Sequence, residues 1–250
     1  MINLARNLPL AVANGLAIDT EKTLGVTTQK SNHPLWIFNG VVKIDKDDIN
    51  VAKIETVLKE WGLPYSWVVP NDAPERLVTQ LENEGLRKIG EPFPVFARDL
   101  TPPIKPCRDL NARLQTVEDL SQFEKWTAFI FEHRFFPEEA QKVFSDIYWH
   151  RVDHYVIRNY SVIDMDDEKV KATGTLILFD HAAYLCNIIF EKTVFGQFLI
   201  QNLIEMVELS DDATVVAATR QKEISFMEEL GFKKKLEFQY FAPYFESEIS

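Results

Sequence analysis

The sequence predicts a mixed α/β fold, with helices packed on a sheet of mixed strand direction and arranged as a partial N-terminal lobe and a fuller C-terminal lobe. Three observations predict it. Apolar residues alternate along the chain between the period of a strand and the period of a helix. A strand, a helix and a glycine turn recur in the same order in both halves. A proline-rich stretch at residues 91–106 separates the two copies.

The N-terminal half has three predicted elements before the proline-rich stretch: a helix at residues 48–61, a strand at 65–69 and a helix at 74–84. The first helix has apolar residues at helical spacing and ends at Gly62. Pro74 suits the first turn of the second helix, and Asn71 or Asp72 can cap it. Gly85 then provides a typical C-terminal stop.

The prolines of residues 91–106 exclude a helix and indicate an extended connector that follows a strand. We place a linker at residues 101–108. The chain then divides into an N-terminal lobe at residues 1–100 and a C-terminal domain at residues 109–250.

The C-terminal half has the predicted order strand, helix, helix, three strands, helix, strand, helix and strand. These elements lie at residues 111–116, 118–132, 137–149, 152–164, 170–179, 183–190, 198–209, 214–218, 223–230 and 236–241. Acidic residues at 164–169 predict one turn, and Asp180 with His181 predicts another. The helix at 198–209 is amphipathic, so one of its sides is expected to be buried.

The two halves also contain an internal repeat. In one copy a strand through Val69 is followed by a polar turn, a helix and Gly85. In the other, a strand through Val216 is followed by the same elements and Gly231, at nearly the same separation. Both copies end with an aromatic-rich strand. Two related lobes explain this more simply than one irregular domain, and chance similarity of a common unit is the alternative.

Composition narrows the choice of partners. The formal net charge of -11 argues against duplex nucleic acid, because binding phosphates requires clustered Lys and Arg. An acidic surface suits a cationic partner such as an amine or a basic peptide, or it simply keeps the protein soluble. Cys107 and Cys186 lie far apart without metal-ligand spacing, which favours reduced thiols. No stretch has the length of a signal peptide or a membrane span, so we expect a cytoplasmic protein without a membrane partner.

Three stretches of the C-terminal half resemble the GNAT (GCN5-related) N-acetyltransferase superfamily. Residues 170–176 (Val-Lys-Ala-Thr-Gly-Thr-Leu) are similar to the antiparallel strand that opens the family's central sheet. Residues 183–190 (Ala-Tyr-Leu-Cys-Asn-Ile-Ile-Phe) are similar to the strand whose backbone pairs with the pantetheine arm. Residues 225–232, which end in Leu-Gly-Phe, are similar to a helix end and turn near the C-terminus of the fold.

The N-terminal half resembles the partial lobe that precedes the full one in tandem members of the family. Trp67, Pro74, Gly85 and the Asp-Leu pair at residues 99–100 fit its pattern. The resemblance covers roughly residues 64–100 and 111–244, and it leaves residues 1–50 to be placed by adjacency alone. It implies the acyl-CoA N-acyltransferase fold.

The resemblance implies acetyl-CoA as co-substrate and an amine of a small molecule or peptide as acceptor. The cofactor-binding residues that it implies are Ile188, Ile189, Phe190, Phe195, Gly196, Gln197 and Phe198. The family binds the pyrophosphate with a glycine-rich turn that leads into a helix. Here only Gly196 matches a glycine of that turn, Phe195 replaces its Arg, and Phe198 and Ile200 occupy later small positions. Lys192 can supply one positive charge.

The family's general acid is also absent, since Met227 stands where many members have a Tyr. Tyr184, Tyr240 or a water are possible replacements, and no general base is marked. Glu132 and His133 are more typical of a solvated or structural helix end.

Other candidate sites are weaker. His150 and His154 are four residues apart, but they lack the His-Glu-x-x-His pattern, so no metal site is predicted. Tyr65 and Trp67 can line a cleft or pack in the core, and core packing is the better reading for Trp67.

Two hypotheses therefore remain: a GNAT-like N-acetyltransferase, or a catalytically inactive GNAT-like module that binds a protein partner or another acyl ligand.

Overall fold

The structure is a computed structural model that describes residues 1–99, 103–107, 110–134, 136–150, 156–179, 181–208 and 214–243. The described helices are α1 (Ile2–Arg6), α2 (Leu8–Gly15), α3 (Val51–Glu60), α4 (Glu75–Asn83), α5 (Leu120–His133), α6 (Glu138–Trp149), α7 (Thr193–Glu208) and α8 (Ile224–Glu229). The described strands are β1 (Asp19–Thr23), β2 (Val26–Lys30), β3 (Asn39–Ile44), β4 (Ser66–Pro70), β5 (Leu86–Asp99), β6 (Ala112–Thr116), β7 (Ile157–Asp164), β8 (Val170–Phe179), β9 (Ala182–Phe190), β10 (Thr214–Ala218) and β11 (Lys233–Pro243). Short 3₁₀ helices lie at Trp36–Phe38 and Gln221–Glu223.

These strands form a single sheet in the order β1-β2-β3-β4-β11-β5-β10-β9-β8-β7-β6. Strands β3 and β4 are parallel, and so are β9 and β10. The remaining neighbours are antiparallel. The mixed α/β fold predicted from the sequence is confirmed.

The internal repeat is present as β4-α4-β5 and β10-α8-β11. Gly85 and Gly231, at equivalent turns, have φ angles of 87° and 82°, a region that favours glycine. The last strands of the two copies are exchanged. Strand β5 pairs with β10 of the second copy, β11 pairs with β4 of the first, and β5 and β11 pair with each other. The centre of the sheet is therefore built from both halves of the chain.

Helices cover both faces of the sheet. One face carries α1, α2, α5 and α6, whose buried side chains include Leu8, Trp126 and Phe144. The opposite face carries α3 and α4 near β4, and α7 and α8 near β9 and β10. Alternate side chains of β9 enter the two cores, with Tyr184 on the α5–α6 side and Leu185 on the α7–α8 side. Among the described helices, none is long and apolar enough to cross a membrane.

Several boundaries differ from the prediction. Strand β5 continues through Pro92 and Pro94 to Asp99, so most of the expected connector is strand, and only residues 103–107 of the linker region are described beyond it. The predicted helix at 48–61 begins at Val51, because the Asn50 side chain accepts a hydrogen bond from the Lys53 N–H at 3.1 Å. The strand predicted at 152–164 is described from Ile157, and residues 152–155 lie outside the described part.

The predicted caps of α4 are wrong. Pro74 occupies the N-cap position and no side chain caps the helix there. The Asn71 side chain instead accepts a hydrogen bond from the Glu237 N–H of β11 at 3.1 Å, and Asp72 pairs with Arg6 of α1 at 2.6 Å. Both residues bind elements that are distant in sequence, and local pattern does not show such partners.

Candidate functional site

The parallel strands β9 and β10 separate part-way along their length. Val215, Val216 and Ala217 pair with Ala183, Tyr184 and Leu185, and no further pair joins these strands among the described residues. Strand β9 continues to Phe190. Its backbone from Cys186 onward therefore has an edge toward β10 that no described strand occupies.

A β-bulge lies at the point of separation. Thr173 of β8 pairs with Ile189 and Thr175 pairs with Cys186, so one extra residue of β9 lies between them. Asn187 adopts a φ of 52° in this bulge. Its Nδ2 donates to the Tyr148 hydroxyl at 3.0 Å and to Thr175 Oγ1 at 3.1 Å. These buried hydrogen bonds hold an otherwise unfavourable backbone conformation.

The predicted cofactor-binding residues at the end of β9 lie on different sides of the sheet. Ile188 is buried on the α7–α8 side and Ile189 on the α5–α6 side. The ring of Phe190 packs on Gly196 of α7, where an added Cβ would lie 2.6 Å from Cδ1 of that ring. The same ring contacts the Phe226 ring of α8, with centroids 4.7 Å apart. The Phe190 ring thus leaves room only for glycine at position 196.

The turn expected to hold a pyrophosphate is helical. Helix α7 begins at Thr193, five residues before the predicted start at residue 198. The N–H groups of Phe195 and Gly196 both donate to the Lys192 carbonyl, at 3.1 and 3.3 Å. Phe195 itself is buried in the core under α7. The sequence prediction of a loop here is wrong because apolar packing of Phe195 extends the helix toward β9.

The connector covers the exposed side of α7. Gln197 Nε2 donates to the Lys105 carbonyl at 2.9 Å, and Gln201 Oε1 accepts from the Cys107 N–H at 3.1 Å. The family resemblance implies that Gln197 binds the cofactor, and in this structure its side-chain amide donates to the Lys105 backbone. Phe198 is partly buried and packs on the core under α7.

Acetyl-CoA therefore fits this site in part. The β9 edge can hydrogen-bond an extended amide chain such as pantetheine, as an added strand would. The phosphate end fits poorly, because the Phe190 ring covers Gly196 and the N–H groups of Phe195 and Gly196 already donate to the Lys192 carbonyl. Only the N–H groups of Thr193 and Val194 precede these two amides in the helix.

The residues considered for proton donation lie on both sides of the sheet. Met227 is fully buried on the α7–α8 side, in the core with Leu199. Tyr184 is fully buried on the other side, and Tyr240 lies partly exposed on that side too. Burial raises the pKa of Tyr240 to about 12. It also raises the pKa of Tyr148 far above its ordinary value. Both phenols are therefore neutral donors at neutral pH.

Other predicted candidates do not join this site. Tyr65 and Trp67 are buried in the N-terminal core, where they donate to the Glu55 carboxylate at 2.6 and 2.8 Å. His133 Nδ1 lies 2.9 Å from the Phe129 carbonyl, and its ring stacks on that of Phe129. His154 lies outside the described residues. Within the described part of the chain, no group of His, Cys, Asp and Glu has the geometry of a metal site.

The best-formed described cavity is also remote from β9. It measures about 330 Å³ and lies between α1, β3, β4 and α4, with Arg6, Lys43 and Asp72 in its wall. None of the residues implied as cofactor-binding lines it.

Sequence reasoning did not select Arg134, which directly follows α5. Its Nε is buried and has no hydrogen-bond partner among the described residues. The positive charge of Arg134 lowers the pKa values of Cys186, Tyr148 and Tyr240, which all belong to the core on the α5–α6 side. A lone arginine among phenylalanines at residues 129–136 was the available signal.

Comparisons with known proteins bear on the fold. No protein-family model and no curated protein matches the sequence. Solved structures do match: a GCN5-related N-acetyltransferase from Kribbella flavida is similar over 96% of this chain and 95% of its own, with a TM-score of 0.68 and 11% identity. A conserved protein of unknown function from Staphylococcus epidermidis is similar over 91% of this chain and 94% of its own, with a TM-score of 0.66 and 6% identity. A tandem GNAT protein from the clavulanic acid biosynthesis pathway is similar over 87% of this chain and 77% of its own, with a TM-score of 0.59 and 11% identity.

These similarities show that the chain has the GNAT fold over most of its length. The fold expected from the sequence resemblance is confirmed.

Proposed function

We propose that the protein is an acyltransferase that transfers the acetyl group of acetyl-CoA to an amine of a small molecule or peptide. The observation that supports this most is the backbone of residues 186–190, which pairs with no β10 residue among those described and lies within a GNAT-like sheet. Ile188, Ile189 and Phe190 would offer their N–H and C=O groups to the amides of the pantetheine arm. The acceptor amine would enter from the α5–α6 side.

In this reaction the amine nitrogen attacks the thioester carbonyl, a C–N bond forms and the C–S bond breaks. The amine loses a proton and the departing thiolate gains one. The hydroxyl of Tyr148 or Tyr240 would give its proton to the sulfur and take up the proton that the amine releases, so the phenol ends the step neutral. Among the described residues, Glu223 is the carboxylate whose charge reaches Arg134, and Thr219 and Arg220 already bind it.

Because Glu223 already accepts these hydrogen bonds, we propose that the acceptor amine enters uncharged. The resulting pH dependence is specific. At pH values below the pKa of the amine, kcat/KM is expected to rise by about tenfold per pH unit, because the uncharged fraction rises by that factor.

The second candidate is an inactive module that binds a protein partner or another acyl ligand. The Phe190 ring on Gly196 supports it, because the ring occupies the position where a phosphate would approach α7. Met227 supports it as well, since a thioether cannot protonate a leaving group.

Isothermal titration of the full chain with CoA and acetyl-CoA tests the first candidate. Saturable binding together with acetyl-CoA-dependent acetylation of any amine in a panel supports it. Binding without turnover supports the second candidate. Absence of heat at millimolar acetyl-CoA would overturn the first.

Two free thiols, Cys107 and Cys186, are compatible with a reducing compartment such as the cytoplasm, which we propose as the location.

A further inference from the structure

Arg134 is a partly buried cation whose Nε is buried and which forms no ion pair with the residues that the structure describes. Its backbone N–H donates to the Ile130 carbonyl at 2.8 Å, so the end of α5 places the residue. The side chain remains partly accessible to solvent while its Nε is fully buried. Neither a hydrogen bond nor an ion pair joins the guanidinium to any residue that the structure describes. A buried guanidinium in this condition is costly unless a ligand or water binds it.

Three hydrogen-bond donors lie on the α5–α6 side of the sheet, where Arg134 follows α5. The Tyr148 hydroxyl accepts from Asn187 Nδ2 at 3.0 Å, and this leaves its own proton available. The Tyr240 hydroxyl has no hydrogen-bond partner within the described part of the chain. The Cys186 thiol is protonated, since burial raises its pKa to about 12. These groups can all donate to a negatively charged ligand.

The nearby carboxylate does not neutralise the guanidinium. Glu223 accepts hydrogen bonds from Thr219 Oγ1, from the Arg220 N–H and from the Arg220 side chain. Arg220 also donates to the His133 carbonyl at 3.3 Å, which brings a second positive charge next to Arg134. Burial lowers the pKa of Arg134, and the charge of Arg220 acts in the same direction. The local field therefore favours an anion.

We propose that Arg134 binds a carboxylate of the acyl acceptor, which makes the acceptor an amino acid or a peptide with a free carboxyl group. A guanidinium offers a planar pair of N–H donors that matches a carboxylate. One of the two tyrosine hydroxyls can donate to the same carboxylate, and the other stays available to the thiolate. The position suits an acceptor, because Cys186 and Asn187 begin the free β9 edge where the thioester would lie. This inference rests on the proposed function, because only an acyltransferase has an acyl acceptor.

Partly exposed aromatic side chains around Tyr240 indicate the rest of the acceptor. The Tyr240 ring contacts Trp36 of the N-terminal half, with centroids 5.1 Å apart, and Phe93 of β5 at 5.3 Å. An apolar or aromatic side chain on the acceptor would pack on these rings. N-acetyl-L-phenylalanine is therefore a suitable probe, since it resembles a product and its binding can be measured in the absence of acetyl-CoA.

The test compares N-acetyl-L-phenylalanine with its neutral amide, N-acetyl-L-phenylalaninamide, by calorimetry on the full chain at constant ionic strength. We expect the acid to bind at least about tenfold more tightly than the amide, because a charge-assisted bidentate pair is lost in the amide. Arg134→Gln should abolish this preference, and Arg134→Lys should retain part of it. Arg76→Gln, at an exposed arginine of α4 that pairs with Asp48, is the matched control and should keep the preference.

A second readout separates binding from folding. Arg134→Gln removes a buried charge that lacks a partner, so its Tm should be equal to or above that of the wild type. In the wild type, the ¹⁵N NMR signal of Arg134 Nε should shift saturably with the acid and not with the amide.

Three results would overturn the inference: equal binding of acid and amide, an acid preference that survives in Arg134→Gln, or no binding of either probe up to about 10 mM, where affinity is negligible. Tighter binding of inorganic phosphate than of the acid would overturn the carboxylate assignment. The proposed function and the anion site can fail separately. Arg134-dependent binding of the acid without any acetyl transfer would support the anion site and contradict the proposed function. Acetyl transfer without an Arg134-dependent preference would contradict the anion site alone.

Discussion

Gly196 and Phe190 fit together only because residue 196 has no side chain. The ring carbons Cδ1, Cγ and Cε1 of Phe190 would lie 2.6–2.9 Å from a Cβ at Gly196. These distances are shorter than non-bonded carbon contacts, so a side chain at one position excludes the ring at the other.

Gly196→Ala is therefore expected to destabilise the protein by about 1–3 kcal/mol, as overpacking does. The loss should nearly vanish when the ring is also removed, so the double variant with Phe190→Ala should lose less stability than the sum of the single variants. Urea denaturation of the four proteins measures this coupling. Strictly additive losses would show that the two residues do not restrict each other.

Phe190→Ala is expected to strengthen CoA binding by about tenfold, because it clears the space over Gly196 and lets a phosphate approach α7. The same change should cost about 2–3 kcal/mol of stability through loss of buried aromatic area. Phe226→Ala is the matched control: it removes the partner ring, at 4.7 Å, but leaves Gly196 covered.

In the wild type, pantetheine and CoA should bind with similar affinity, within about a factor of three, if the phosphates gain no contact. Calorimetry measures both effects. A much stronger preference of the wild type for CoA over pantetheine would contradict the account of the covered phosphate site.

Asn187→Val is expected to lower stability by about 2–4 kcal/mol. A β-branched residue is disfavoured at a φ of 52°, and the hydrogen bonds to Tyr148 and Thr175 are lost. Asn187→Gly accepts the backbone conformation and loses only the hydrogen bonds, so it should cost less. Thermal unfolding separates the two contributions, and a valine variant as stable as the glycine variant would show that the bulge is not strained.

The stability of the protein should fall at alkaline pH in a way that depends on Cys186. Burial raises the pKa of this thiol to about 12, above its value in the unfolded chain. The unfolded state therefore releases the proton first as pH rises, and stability present below about pH 9 is lost between about pH 9 and pH 12.

Comparison of the wild type with Cys186→Ala isolates this effect, since Tyr148 and Tyr240 titrate in both proteins. The free energy of unfolding of the wild type should fall relative to the variant by up to about 1.4 kcal/mol per pH unit in that window. Parallel pH profiles would contradict the assignment.

Residues 109–250 expressed alone are not expected to fold stably, because β10 and β11 each pair with β5, which lies in the other half. Without β5, both strands present open edges at the centre of the sheet. Co-expression of residues 1–108 should restore a soluble complex. Circular dichroism and size-exclusion chromatography measure this, and a cooperative unfolding transition of the isolated fragment at the wild-type Tm would contradict it.

Local patterns in the sequence were sufficient to predict many helices and strands and the type of fold. Strands β8 and β10 have the predicted bounds, and the repeated glycines end equivalent helices. The order of elements and the Leu-Gly-Phe turn carried the resemblance to GNAT proteins, and solved structures with that fold confirm it. The division into lobes with a linker at residues 101–108 stays a prediction.

The same patterns did not predict features that depend on contacts between segments distant in sequence. The first turn of α7 forms because Phe195 reaches the core and Lys192 accepts its N–H. Phe190 was expected to contact a cofactor, but its ring meets Gly196 and Phe226. The exchange of β5 and β11 brings together strands from the two halves of the chain.

The sequence by itself determined most helices and strands after residue 50 and their order, because hydrophobic periodicity, glycine and proline act within a few residues. It did not predict the two helices and three strands of residues 2–44. Only the tertiary structure decided which glycine is covered, which part of the β9 edge pairs with β10, and that the Arg134 Nε is buried with no hydrogen-bond partner among the described residues. Those properties depend on contacts between residues far apart in the chain, whose burial and charge no local pattern records.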